Sequence, residues 1–140
     1  MLSALDISTS ALVAQRTRMT AIAGNIANVT TTHNEDGQPQ PYQPRYVVFQ
    51  ADPTIGSQGA AGVRVAAVRI DSDMQPRYKY EPGHPDAIRE GPWKGYVAYP
   101  DINIMTEFTD ALEAARAYEA NLGAIEVTKD LSQQTLRILA

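Results

Sequence analysis

The chain has 140 residues, enough for one ordinary domain and too few for two comfortable ones. Hydrophobic residues make up 44% and charged residues 20%, the net charge is -4, and cysteine is absent. That composition excludes a disordered polyelectrolyte, a general nucleic-acid binder with a basic face, a disulfide scaffold, and thiol or Cys-ligated metal chemistry.

The helix breakers divide the chain. All nine prolines lie between Pro39 and Pro100, and seven of the nine glycines lie between Gly37 and Gly95. Proline costs a helix interior about 3 kcal/mol and glycine about 1. The ends are therefore helix-permissive and the middle is not. The expected fold is mainly α with a small β-rich middle. Residues 1–30 and 101–140 form a terminal helical core domain, and residues 31–100 form a loop and a small β-rich middle domain.

The first helix is expected from about Ser3 to about Val29, roughly 40 Å long. Leu5, Leu12, Met19 and Ile26 recur every seven residues, and Ile22 and Val29 supply a second seam position, which is coiled-coil spacing. Asn25 and Asn28 near its end read equally as helix termination or as hydrogen bonding across a helix–helix contact. The first basic residue is Arg16, preceded by Asp6, so no charged segment leads into an apolar block and no cleaved secretion leader is expected.

Thr30 to Pro44 has no periodicity and reads as a mobile loop. Arg45–Gln50, Val63–Ile70, Arg77–Glu81 and Gly95–Tyr99 are β-branched or aromatic and read as strands. Val63 and Val65 share one parity while Val68 and Ile70 share the other, which predicts a bulge near Ala66 or Ala67. Pro82-Gly83 is a turn signal. His33 beside Glu35 and Asp36, and His84 beside Asp86, lie among turn residues without helical metal-ligand spacing, so no metal is expected. Gly56, Gly59 and Gly62 precede a strand instead of a helix, so phosphate binding is not implied. Asp71-Ser72-Asp73 starts like a calcium loop, but Pro76 and Pro82 occupy the positions that need Gly and Glu.

The second helix carries Ile104, Phe108, Ala111, Ala115, Tyr118, Leu122 and Ile125 at alternating steps of four and three. The phase slips afterwards, and about 35 helical residues span about 50 Å. Arg116, Tyr118 and Asn121 pose the same choice as the two asparagines. The acidic strip Glu107, Asp110 and Glu113 reads first as the solvated face of this helix, with pairing to a basic neighbouring subunit as the alternative. Six seam side chains on the first helix contribute roughly 9–18 kcal/mol gross at about 1.5–3 each. Ordering 27 residues costs at least about 1 kcal/mol apiece. The terminal helices are therefore expected to be frayed or unfolded in an isolated chain and to be completed by neighbouring copies.

The segment Ala4-Leu5-Asp6-Ile7-Ser8-Thr9-Ser10-Ala11-Leu12, followed by Asn25-Ile26-Ala27-Asn28-Val29-Thr30-Thr31-Thr32, resembles the amino-terminal region of bacterial flagellar rod and hook proteins. Asn103-Ile104 and Arg116-Ala117-Tyr118-Glu119-Ala120-Asn121 are similar to the carboxy-terminal motif of that family. Tyr80-Glu81-Pro82-Gly83-His84-Pro85-Asp86-Ala87 and Gly95-Tyr96-Val97-Ala98-Tyr99-Pro100 resemble its short proximal rod member. The stretch Ile88 to Lys94 separates motifs that lie closer in the family.

The resemblance implies a structural subunit of the flagellar basal-body rod, the drive shaft and part of the export channel wall. Its two long terminal helices would pair as an antiparallel coiled coil. Export would run through the flagellar type III channel to a periplasmic rod, without a cleaved leader. The implied partners are other copies of itself, other flagellar rod proteins, the export apparatus and basal-body ring components. No nucleic acid, membrane span, cofactor, metal or catalytic residue is expected. The expected subunit-interface residues are Leu5, Leu12, Met19, Ile22, Asn25, Ile26 and Asn28 on the first helix, and Phe108, Ala115, Arg116, Tyr118, Asn121, Leu122 and Ile125 on the second. The competing readings are a soluble coiled-coil adaptor or export chaperone forming a closed dimer, and a glycan hydrolase using Glu81 and Asp86.

Overall fold

The computed structural model describes residues 2–56 and 59–139. Two long helices flank two separate hairpins along the sequence. In chain order the elements are α1 (Leu2–Ala27), β1 (Arg45–Asp52), β2 (Gly62–Ile70), β3 (Arg77–Tyr80), β4 (Tyr96–Tyr99) and α2 (Ile104–Leu139). Both strand pairs are antiparallel.

α1 ends where Asn28 turns its side chain back. Its Nδ2 donates to the Gly24 carbonyl at 2.8 Å, adding a second donor to an oxygen that also accepts from the Asn28 amide at 3.1 Å. α2 begins at Asn103, whose Oδ1 accepts from the amides of Met105 at 3.0 Å and Thr106 at 3.3 Å. That is the N-cap geometry for which Asn is favoured.

The helices run in opposite directions. Asn25 meets Glu107, while Arg18, further back on α1, meets Glu113 further along α2. With 36 residues against 26, α2 outruns α1 and continues about 15 Å past it. The α2 face turned inward is small and polar. Glu107, Ala111, Ala114, Tyr118, Asn121, Ile125 and Thr128 are buried or half-buried, with Ala114 at 0% exposure. This line keeps the four–three spacing but is rotated from the apolar line that the sequence suggests. Ile104, Phe108 and Leu122 point mostly to solvent. The reason is the geometry around α1, whose buried side is shared between α2 and the β1–β2 hairpin. Close approach there needs alanine, and the bulky residues are left outside.

β1 and β2 pair from Arg45↔Ile70 to Asp52↔Gly62. Val48 pairs with Ala67 and Phe49 with Val65, so Ala66 is the extra residue of a bulge, at the place where valine parity changes. The hairpin is fastened to α1 by Ser10. Its Oγ accepts from the Val63 amide at 3.0 Å and donates to the Ile7 carbonyl at 2.7 Å. Gly62 is buried against that contact. A Cβ there would lie 2.6 Å from Ile55 Cγ2 and 2.8 Å from Ser10 Oγ. Gly62→Ala is expected to destabilise the chain by about 1–3 kcal/mol through this overlap, seen as a lower urea midpoint with unchanged slope.

In the second hairpin the connection from β3 to β4 begins with a turn at Pro82-Gly83, where the His84 amide donates to the Glu81 carbonyl at 3.1 Å, and the Glu81 amide donates across to the Gly95 carbonyl at 2.9 Å. Its inner face buries Val97, and Pro100 and Ile102 continue that small core. Its outer face is aromatic. Tyr78 stacks on Trp93 at 4.5 Å, and Trp93 and Tyr80 both meet Tyr96 edge-on. Trp93 comes from the Ile88–Lys94 stretch, which folds back because the Ile88 amide donates to the Tyr96 carbonyl and the Gly95 amide to the Ile88 carbonyl, both at 2.9 Å.

The Thr30–Pro44 segment has no regular structure, in line with its sequence, but it is pinned. The Tyr42 amide donates to the Thr31 carbonyl at 3.0 Å, and Asn34 and Gln38 close a small turn. Buried Thr32 donates to Asp86 at 2.6 Å, tying the loop to the second hairpin.

Candidate subunit interface

Asn25 is the centre of the contact between the helices and the first hairpin. It is 3% exposed and uses all of its hydrogen-bonding capacity across chain segments. Its Nδ2 donates to the Arg45 carbonyl at 2.8 Å and to Glu107 Oε2 at 3.3 Å. Its Oδ1 accepts from the Arg45 amide at 2.8 Å and from the Tyr42 hydroxyl at 3.2 Å. One amide side chain thus joins α1, α2, the loop and the first residue of β1. Of the two asparagines, Asn25 bridges and Asn28 terminates.

Part of the acidic strip of α2 is met within the chain, while its carboxylates keep much of their exposure. Arg18 of the same chain lies 3.5 Å from Glu113 and 3.8 Å from Asp110. Arg18 and Asn103 carry contacts that the seam pattern overlooked. Arg18 sits one position from Met19 and is one of only two bases in the first thirty residues, which is the signal that it faces an acidic helix.

Burial of Glu107 raises its carboxyl above the ordinary range; the Asn25 hydrogen bond pulls it back and Asp110 adds to the rise. Glu81 and Asp86 shift the other way. Lys79 at 2.6 Å, then the Tyr99 hydroxyl at 2.8 Å, hold Glu81 below the ordinary range. The Thr32 hydroxyl, then His33 at 3.3 Å, do the same for Asp86, with His84 at 3.9 Å. Both histidines therefore converge on one carboxylate, although they are far apart in sequence. Among the described residues no cluster of three or more His, Cys, Asp or Glu has the arrangement of a metal site.

These shifts set opposite pH responses. A carboxyl depressed in the folded chain stabilises above its unfolded value of about 4, and that stability is lost as pH falls through the folded value. A raised carboxyl contributes most below its unfolded value and loses that contribution as pH rises through the folded one. Trp93 is the single tryptophan and sits on the second hairpin, so its fluorescence reports Glu81 and Asp86. It is expected to show acid-induced loosening below about pH 4 that Asp86→Asn reduces. Glu107→Gln, read by helical circular dichroism, is expected to remove a penalty at neutral pH.

The expected interface residues divide by exposure. Ile22 and Asn25 are buried within the chain. Leu5, Leu12, Met19, Ile26 and Asn28 of α1, and Ala115, Tyr118, Asn121 and Ile125 of α2, are half-buried. Phe108, Arg116 and Leu122 are exposed, and α2 also exposes Met105 and Leu112. The last stretch of α2 exposes Leu131, Leu136, Ile138 and Leu139 as well. No helix among the described residues is long and apolar enough to cross a membrane. A small protein with this much aliphatic and aromatic surface along one rigid helix carries an interaction surface.

Residues 94–138 match the family described as flagellar basal body rod FlgEFG protein C-terminal, which defines the class as that of the flagellar rod proteins. The sequence is 37% identical to the flagellar basal-body rod protein FlgC of Borreliella burgdorferi over 154 aligned positions, spanning 98% of this chain and 96% of that protein. It is 37% identical to FlgC of Salmonella typhimurium over 138 positions, spanning 99% and 97%, and 33% identical to FlgC of Bacillus subtilis over 146 positions, spanning 96% and 95%. The chain belongs to the FlgC family of flagellar basal-body rod proteins, and its place is the flagellar basal body.

Proposed function

We propose that the chain is a structural subunit of the proximal part of the rod, assembling helically with its own copies and with other rod proteins. Residues 1–30 and 101–140 act as the packing core, pairing as a coiled coil that neighbours complete, and residues 31–100 lie outside it. The single observation that carries this reading is the apolar surface that α2 leaves uncovered beside a helix pair already joined by Asn25 and Arg18. In an open array such surface is covered by the next subunit. Dense packing of long helices with small residues at their contacts then gives the stiffness that torque transmission requires.

The same reading assigns no catalysis. Glu81 and Asp86 are both held ionised by hydrogen-bond donors, whereas a glycosidase acid needs a raised carboxyl to keep its proton. Contacts with the export apparatus and basal-body rings belong to the proposal too.

The test is incorporation. Purified basal bodies are expected to contain the unsubstituted chain and to lack Leu12→Asp and Ile26→Asp, because a charge in a half-buried helix seam costs several kcal/mol. Normal swimming in either variant would contradict the assignment. A dimer whose mass is independent of concentration would favour the adaptor reading instead.

A further inference from the structure

After the α1–α2 contact is formed, each helix keeps a second, outward line with four–three spacing. On α2 it runs Met105, Phe108, Leu112, Ala115, Glu119, Leu122, Glu126 and Lys129, and its large members are 73%, 51%, 61% and 42% exposed for Met105, Phe108, Leu112 and Leu122. On α1 the outward line is Asp6, Thr9, Val13, Arg16, Thr20, Ala23 and Ala27, all exposed. Bulky residues dominate the first line and short ones the second. Val13, Arg16 and Thr20 also border a groove of about 880 Å³ between α1, the Thr31–Arg45 segment and the end of β2.

We propose that the outward line of α2 in one copy docks antiparallel on the outward line of α1 in a second copy. This deepens the rod-subunit reading and rests on it. The two lines fit in one register. Setting Arg16 opposite Glu119 brings Asp6 opposite Lys129, so both charged positions of the α1 line meet an opposite charge. None of these four side chains has an ion-pair partner of its own chain among the described residues. The same register sets Phe108 against Ala27, Leu112 against Ala23 and Leu122 against Val13. Large side chains then face short ones, as interdigitating helices require. It differs by only about three residues from the alignment inside the chain, where Asn25 meets Glu107, so neighbouring copies sit nearly level. In the rod, each copy would offer its α2 line to one neighbour and its α1 line to another, so that the contact is heterologous and passes from copy to copy around a ring or helix.

The absence of native cysteine allows a direct test in a flagellated host that makes the chain only from the introduced genes. Ala23→Cys and Leu112→Cys, expressed together as separate copies, are expected to give a disulfide-linked dimer in purified basal bodies, and neither alone to give one. Arg16→Glu and Glu119→Arg are each expected to lower the amount of chain in basal bodies several-fold, and the double reversal to restore it. Basal bodies that hold both cysteine copies without a dimer would overturn the pairing and leave the rod-subunit reading standing. Should the cysteine copies not enter, the charge reversals decide. A double variant no better than the singles, or singles that incorporate normally, likewise overturns the pairing. Absence of the unsubstituted chain from basal bodies would defeat the underlying reading itself.

Discussion

Replacing Ile22 by Asp is expected to melt α1 and to remove the chain from basal bodies. Ile22 is 6% exposed, on the inner side of α1 three residues before Asn25. The substitution forfeits about 2 kcal/mol of apolar burial and places a carboxyl in a buried position, for a total of about 5 kcal/mol. That equals the lower end of the stability of a whole domain, about 5–15 kcal/mol. Helical circular dichroism should lose its cooperative transition. Ile22→Val, which keeps the apolar contact, should retain it at a cost of about 1 kcal/mol. A melting profile for Ile22→Asp like that of the parent would show that α1 does not pack as described.

Asn25→Ala is the second large effect, about 2–4 kcal/mol. It deletes the four hydrogen bonds to Arg45, Tyr42 and Glu107 and leaves the Arg45 amide and carbonyl without their side-chain partners. Asn25→Asp separates the parts of this loss. It keeps the acceptor for the Arg45 amide and Tyr42 hydroxyl, loses the donor, and sets a second carboxylate against Glu107. Its cost should therefore grow as pH rises, while that of Asn25→Ala should not follow the same course. Urea midpoints at several pH values read both. Equal midpoints for Asn25→Ala and the parent would remove Asn25 from the centre of the contact.

Much of the fold was legible one segment at a time. The distribution of proline and glycine marked both helices to within a few residues, because backbone cost is a local property. Runs of β-branched and aromatic residues marked all four strands, and the parity change between Val65 and Val68 pointed to a bulge near Ala66 or Ala67, which the pairing puts at Ala66. Turn chemistry at Pro82-Gly83 was readable for the same reason. The candidate interface was legible only in kind. Heptad spacing announced long packing helices, yet of the expected α2 line Ala111, Tyr118 and Ile125 turn inward while Ile104, Phe108 and Leu122 face away. Spacing identifies an apolar line without saying which neighbour covers it, and α2 carries two usable lines.

The order of residues alone determined that this protein has two long helical ends, a broken middle and no thiol chemistry, since those follow from each residue's own conformational and chemical preferences. Only the tertiary structure decided that Asn25 bridges while Asn28 terminates, that Arg18 answers the acidic strip, and that His33 and His84 share Asp86. The contacts of Asn25 with Arg45, His33 with Asp86 and Arg18 with Glu113 join residues 20, 53 and 95 positions apart. Hydrogen bonds and ion pairs act over a few ångströms, so their partners are settled by how the helices and hairpins pack.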